Sequence, residues 1–141
     1  MDHETVTEIF KFKDCGDLKD NLISTICPIG QRGVLFGSFP SGLHFSDLRQ
    51  RSLVQSFELP RLPTSVQATP LCIRPHPARD DSYFVCGRFP AILSFDLRMG
   101  LEKFISIYSG ADSLSCITPI SSDYIVVGGA YRGNICEIDV I

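Results

Sequence analysis

Apolar residues in this chain fall into short runs separated by clusters of Gly, Pro, Ser and Asp, and almost no stretch shows the spacing of an amphipathic helix. YFVCG (83–87) and YIVVGG (124–129) are apolar nearly throughout. Such runs suit strands covered on both sheet faces, because a sheet with one face in water alternates apolar and polar positions. LVQSFEL (53–59) and KFISIYS (103–109) mix the two kinds of residue, as strands nearer a rim do. The pattern predicts an all-β chain with strands at 22–27, 34–39, 43–47 and 53–59, then at 68–73, 83–88, 92–96 and 103–108, then at 114–118, 124–129 and 134–139. A further strand is expected at 5–12, followed by a turn at 14–17.

The runs repeat in order. VLFGSFPSGLHFSDLR (34–49) and YFVCGRFPAILSFDLR (83–98) both pass from an apolar strand through Gly, one variable residue and Phe-Pro into a second apolar stretch that closes on Asp-Leu-Arg. YIVVGGAYRGNICEIDVI (124–141) keeps the strands, the glycine and the aspartate but loses Phe-Pro and the arginine. Pro28, Pro75 and Pro119, then Gly37, Gly87 and Gly128, then Asp47, Asp96 and Asp139 recur at intervals in the forties. A period of about 40–45 residues filled with short strands is that of a propeller blade, and it excludes helical solenoids. The expected fold is a partial β-propeller of about three four-stranded antiparallel blades, the last incomplete. Residues 1–20 would hold the outer strand of a preceding blade, and the repeats would span 21–62, 63–110 and 111–141. The glycines would mark close packing or a bend. ELPRLPTSVQATP (58–70) reads as the crossover between the first two repeats, and RPHPARDDS (74–82) as a longer counterpart of the GQRG turn (30–33). A two-layer β-sandwich would also show short strands and turns, but it would not explain landmarks repeating in one order.

Composition narrows the function classes. With 44% hydrophobic and 21% charged residues the chain reads as globular. Its 13 Lys and Arg against 16 Asp and Glu leave no basic footprint for a phosphate backbone, so no direct nucleic-acid partner is expected. MDHETVTEIF lacks the basic flank and apolar run of a signal peptide, and no apolar stretch approaches the roughly 20 residues that cross a bilayer, so no membrane partner is expected. Cysteines at 15, 27, 72, 86, 116 and 136 form no CxxC pair. Most of them, in contexts such as TIC, PLC, FVC and LSC, read as small buried hydrophobes, and the thiols as reduced in a cytoplasmic or nuclear setting.

The closing elements SDLR (46–49), FDLR (95–98) and IDVI (138–141) resemble the Trp-Asp end of a WD repeat, and the resemblance covers residues 21–141. The chain departs from that pattern in having no tryptophan, with Ser46, Phe95 and Ile138 in its place, and no Gly-His dipeptide opening a repeat; Gly110, Ala111 and Asp112 stand where one would precede the third. The resemblance implies a protein-interaction scaffold or adaptor without catalysis, whose partners are other proteins. A ring needs about four to eight blades, so the rest of the propeller would come from another chain or a longer isoform. Asp47, Asp96 and Asp139 would be structural turn residues. Arg49 and Arg98 are the candidate partner-binding residues. In WD-repeat substrate receptors of cullin-RING ubiquitin ligases, a similar Trp-Asp-x-Arg ending on successive blades is associated with docking to the ligase's propeller adaptor, and such a receptor is the alternative function. Against it, Asp-Leu-Arg is common at this turn, where Asp caps the backbone and Arg is merely exposed.

An enzyme finds little support. His3, His44 and His76 suggest no Ser-His-Asp or Cys-His arrangement, and His44 reads as a strand residue with a satisfied ring. Asp80 and Asp81 read as a solvated loop pair, and GGAYRG (128–133) lacks the Lys and Ser/Thr of a phosphate-binding loop. No catalytic residue, metal or cofactor is expected.

Overall fold

The computed structural model describes residues 22–31, 33–39, 42–49, 52–57, 59, 69–100, 104–109, 114–121, 123–129 and 135–139. The strands are β1 (Leu22–Ile29), β2 (Gly33–Phe39), β3 (Gly42–Asp47), β4 (Ser52–Phe57), β5 (Pro70–Pro75), β6 (Ser82–Gly87), β7 (Phe89–Asp96), β8 (Phe104–Ser109), β9 (Leu114–Pro119), β10 (Tyr124–Gly129) and β11 (Ile135–Asp139). A short 3-10 turn at Leu97–Met99 is the other element among the described residues. The chain is all-β, as its apolar pattern predicts. The expected strand at 5–12 and the turn at 14–17 lie outside the described residues, as does most of the crossover 58–70.

The strands form three antiparallel sheets in which neighbours in space are neighbours in sequence: β1-β2-β3-β4 (sheet 1), β5-β6-β7-β8 (sheet 2) and β9-β10-β11 (sheet 3). Hairpin connections of this kind need only short turns. Among the described residues no sheet closes on itself.

Strand pairing puts the aspartate and proline landmarks of the three sheets at matching register positions. Asp47 pairs with Gly33, Asp96 with Ser82 and Asp139 with Tyr124, so each aspartate faces the first residue of its sheet's second strand. Pro28, Pro75 and Pro119 pair with the next residue along, Val34, Tyr83 and Ile125. The glycines do not all follow. Gly37 and Gly128 stand four positions beyond the aspartate's partner and Gly87 five, so Cys86 occupies the place equivalent to Gly37. By register Gly87, paired with Pro70, matches Ser38, paired with Ile23; the extra residues at the neighbouring register shifts lie in β5 and β7, and β6 itself runs on without an insertion.

Sheet 2 packs between the other two. One buried cluster joins it to sheet 1 through Cys27, Leu35, Leu43, Leu59, Ile73, Tyr83, Val85, Phe89, Leu93 and Phe95. A second joins it to sheet 3 through Cys72, Phe84, Cys86, Ile92, Leu114 and Ile117. Alternate residues of β6 therefore point to opposite neighbours, and all six of its residues are buried. This is the physical reason that YFVCG shows no alternation. Each large side chain removed from water here contributes about 1.5–3 kcal/mol. The first strands of the three sheets, β1, β5 and β9, lie against one another in turn.

Backbone proximity at these junctions selects small residues. A Cβ on Gly37 would overlap the Pro70 ring and meet the Thr25 methyl at 2.9 Å, so sheets 1 and 2 approach most closely where that residue has no side chain. The Ser24 hydroxyl donates across the same junction to the Pro70 carbonyl at 2.5 Å. Three of the four described cysteines are buried as expected, Cys27, Cys72 and Cys86, and the fourth corrects the reading of LSC: Cys116 is exposed, on a face of β9 that none of the described sheets covers. Nothing is described of the side chains of Cys15 and Cys136.

Candidate functional site

The Asp-x-Arg turns are the feature that the folding of the repeat duplicates. At the end of β3 the Asp47 carboxylate accepts the backbone N–H of Arg49 at 2.9 Å, which caps the turn. The Arg49 side chain then folds back on it, Nε donating to Oδ1 at 3.1 Å and Nη2 to Oδ2 at 2.8 Å. At the end of β7 the Asp96 carboxylate accepts the Arg98 N–H at 2.9 Å, with Nε donating to Oδ1 at 3.0 Å and Nη2 to Oδ2 at 2.6 Å. Both pairs are two-pronged, the fork of donors matching the two carboxylate oxygens. Hydrogen bonds from the Arg98 side chain, and after them its backbone N–H, hold the Asp96 carboxyl down at about 2. The same bonds raise both guanidinium groups above their ordinary value.

Asp47 and Asp96 each accept the backbone N–H two residues on, at the end of β3 and of β7. Asp139 occupies the equivalent backbone register, and its side chain lies outside the described ones. Arg49 and Arg98 are not simply solvated, since each is clamped to its own aspartate. Even so, their side chains stay 62% and 70% exposed. The clamp fixes where each cation is displayed, at the same register position of two successive sheets.

The second turn carries more structure than the first. Its backbone closes through the 3-10 turn Leu97–Met99, with Gly100 at φ 91° donating to the Leu97 carbonyl at 3.3 Å. The Leu97 N–H donates to the Asp81 carbonyl at 2.8 Å, which ties the turn to the loop 76–81, and Asp81 takes a φ of 63° to present that carbonyl. Beside it opens a depression of about 760 Å³ lined by Arg79, Ser82, Ser94, Phe95, Asp96, Arg98, Met99, Phe104 and Ile105. Its lining mixes four apolar side chains with two serines, two arginines and an aspartate.

Two histidines have structural roles that their sequence positions barely signal. His44 is 1% exposed on β3, its Nε2 sharing a hydrogen bond with the Ser38 hydroxyl at 2.8 Å and its Nδ1 one with the Ser56 hydroxyl at 3.0 Å. The ring links β2, β3 and β4 beneath Phe36, whose centroid lies 5.1 Å away, and burial pushes its pKa down to about 4. The expected satisfied ring is present. The hint in the sequence was the alternation of His44 and Ser46 with Leu43 and Phe45, but nothing local named Ser38 or Ser56 as partners. His76 organises the loop instead, Nδ1 accepting from Ala78 N and Arg79 N at 3.0 Å each.

Fold and turns together define an all-β chain of three repeated antiparallel sheets, packed face to face and displaying clamped arginines at matching turns. The chain matches no characterised protein family, and no curated protein sequence matches it.

Proposed function

We propose that the chain forms part of a β-propeller of the WD-repeat kind and serves as a protein-interaction scaffold or adaptor with no catalysis of its own. The observation that carries this reading is the duplication of one turn geometry: two exposed guanidinium groups, each fixed by its own aspartate, at equivalent positions of successive sheets. Turn residues that only terminate strands have no need of a long cation held in one rotamer, whereas arginine displayed on a rigid scaffold is a frequent interface anchor. The gathering of β1, β5 and β9, with each sheet running outward from them in the same order, supports successive blades about an axis. Partners are other proteins, not nucleic acid or membrane, and the free thiols of Cys27, Cys72, Cys86 and Cys116 suit the cytoplasm or nucleus.

The test is quantitative capture of partners by the wild type and by the double variant Arg49→Ala with Arg98→Ala. Loss of a central arginine anchor weakens binding by about 2 kcal/mol or roughly thirtyfold. The reading expects partners to be lost by the double variant while its β-sheet circular dichroism persists; unchanged recovery with both arginines gone contradicts it. The same two exposed cations favour one narrower reading, a substrate receptor of a cullin-RING ubiquitin ligase. That version expects the purified propeller adaptor of such a ligase to bind the wild type directly and not the double variant, and it fails if the adaptor binds neither.

A further inference from the structure

Sheet 2 departs from the repeat at one buried pair. Four positions beyond the aspartate's partner, the second strand of sheets 1 and 3 carries glycine, Gly37 opposite Thr25 and Gly128 opposite Cys116. Sheet 2 has Cys86 there, and the residue opposite it on β5 is Cys72. The fold therefore brings together two thiols whose sequence spacing signals no pair. Facing residues of antiparallel strands put their side chains on the same side of the sheet, with Cα atoms about 4.5–5.5 Å apart. A disulfide spans about 4.4–6.8 Å between Cα atoms, so β5 and β6 already stand at bridging distance. Both cysteines belong to the cluster at the junction with sheet 3, Cys72 being 7% exposed and Cys86 fully buried.

Their surroundings make the two sulfurs unequal. The thiols share a hydrogen bond, which brings Cys72 down to about 6 and pushes Cys86 up, burial adding to the rise. The guanidinium of Arg74, an exposed residue two positions along β5, favours the thiolate form of both. Cys72 is thus the sulfur that gives up its proton and lies nearer to water, and Cys86 holds its proton behind it. A cation beside a thiol of depressed pKa, with a second thiol in reach, is the setting of a redox-active cysteine, whereas a buried cysteine without these neighbours is inert.

We infer that Cys72 and Cys86 form a reversible oxidation site, at which peroxide converts the paired thiols to a cross-strand disulfide between β5 and β6. The Cys72 thiolate attacks one peroxide oxygen, the O–O bond breaks, and the departing hydroxide takes up the proton that Cys72 released, giving the first water. Cys72 then stands as a sulfenic acid. The Cys86 sulfur bonds to the Cys72 sulfur, the S–O bond breaks, and the leaving hydroxide takes the Cys86 proton as the second water. Between them the two sulfurs lose two electrons and two protons, and peroxide gains both. Exchange with a thiol reductant restores the pair. The bond ties together the hairpin whose loop, 76–81, holds the second Asp-x-Arg turn through the Asp81 carbonyl.

The reduced full chain is treated with a few equivalents of hydrogen peroxide in native buffer, its remaining thiols are blocked with iodoacetamide in urea, and it is digested with trypsin without reductant. Cleavage after Arg61, Arg79 and Arg88 leaves Cys72 and Cys86 on separate peptides, with no other cysteine on either. Mass spectrometry is expected to find these two peptides joined, lighter than their sum by two hydrogen atoms, and separated again by dithiothreitol. Cys116→Ser is expected to form the same bridge, since the exposed Cys116 competes for peroxide without taking part. Arg74→Gln, also at an exposed position, is expected to form it several times more slowly with its β-sheet circular dichroism unchanged. The inference is overturned if Cys72 is recovered blocked or oxygenated but not bridged, or if either cysteine is joined instead to Cys27, Cys116 or a second chain. Loss of the bridge in Cys116→Ser, or closure of the bridge in Arg74→Gln at the wild-type rate, overturns it equally.

Discussion

His44 shows how much one residue's surroundings decide. In the unfolded chain its imidazole titrates near the ordinary 6.5, whereas in the fold burial holds it at about 4. Above pH 6.5 the ring is neutral in both states and the stability it contributes is complete. As pH falls toward 4 the unfolded chain takes up a proton that the folded chain refuses, so stability is lost across that window. At about 1.4 kcal/mol per pH unit, the loss between pH 6.5 and 4.5 is about 3 kcal/mol. Urea unfolding at pH 7.5 and 4.5 checks this against His44→Asn, which should lose about that much less on acidification. Asp96 does not confuse the comparison, because its carboxyl, held at about 2 by Arg98, gives up its contribution only below the ordinary carboxylate value near 3.8. The sequence signalled that His44 sits in a strand. It did not signal Ser38 and Ser56, because cross-strand partners follow from register, which is set by turns and bulges that the local pattern does not display. Gly87 makes the same point. Its equivalence to Gly37 looks plain in the aligned letters, yet it stands one register position further along, paired with Pro70, where an added Cβ would overlap the Thr69 carbonyl oxygen. Gly87→Ala should cost about 1–3 kcal/mol in thermal unfolding, since the neighbours to be displaced are backbone atoms of the adjoining strand.

At the scale of the element, the strands were legible because the chain punctuates them with Gly, Pro and Asp and fills them with apolar and β-branched residues. All eleven strands expected from residue 22 onward are present, with shifts at their ends. The largest shift is at β7, which begins at Phe89 and not near 92, because Phe89 pairs with Gly87 across a tight hairpin that the Phe-Pro dipeptide disguises. The aspartates ending β3 and β7 were also legible as turn residues, since a carboxylate two positions before an N–H is a local arrangement. The return of the arginine onto its own aspartate was not, as a charged side chain at a turn equally well points into water. Ile73 on β5 and Ile117 on β9, paired with Val85 and Val127 at one register position, offer an element-scale test. Ile73→Ala and Ile117→Ala should each cost about 2–5 kcal/mol by denaturant unfolding, as the removal of buried branched side chains does, because each lies under the sheet before its own. Equal and small effects at both positions would mean that the sheets do not pack on one another in this order.

For the whole molecule, what the sequence carried was the repeat, and what it left open was how the repeats meet. Identical strand orders are compatible with a fan of sheets or with a two-layer sandwich, and no single repeat encodes its neighbour's position. Sheet 2 buries one face against sheet 1 and the other against sheet 3, so the described sheets make three layers and not two. The central claim is therefore that each sheet covers the next through the same face, with β1, β5 and β9 adjacent. Magnetisation transfer in the folded chain, observed as nuclear Overhauser effects, tests it most directly. The account predicts cross-peaks from the Gly37 Hα protons to the Pro70 ring and from the Cys72 Hβ protons to Ile117, one across each junction. Cross-peaks at one junction without the other, or at neither, in a chain that still shows the strand pairings of all three sheets would contradict it.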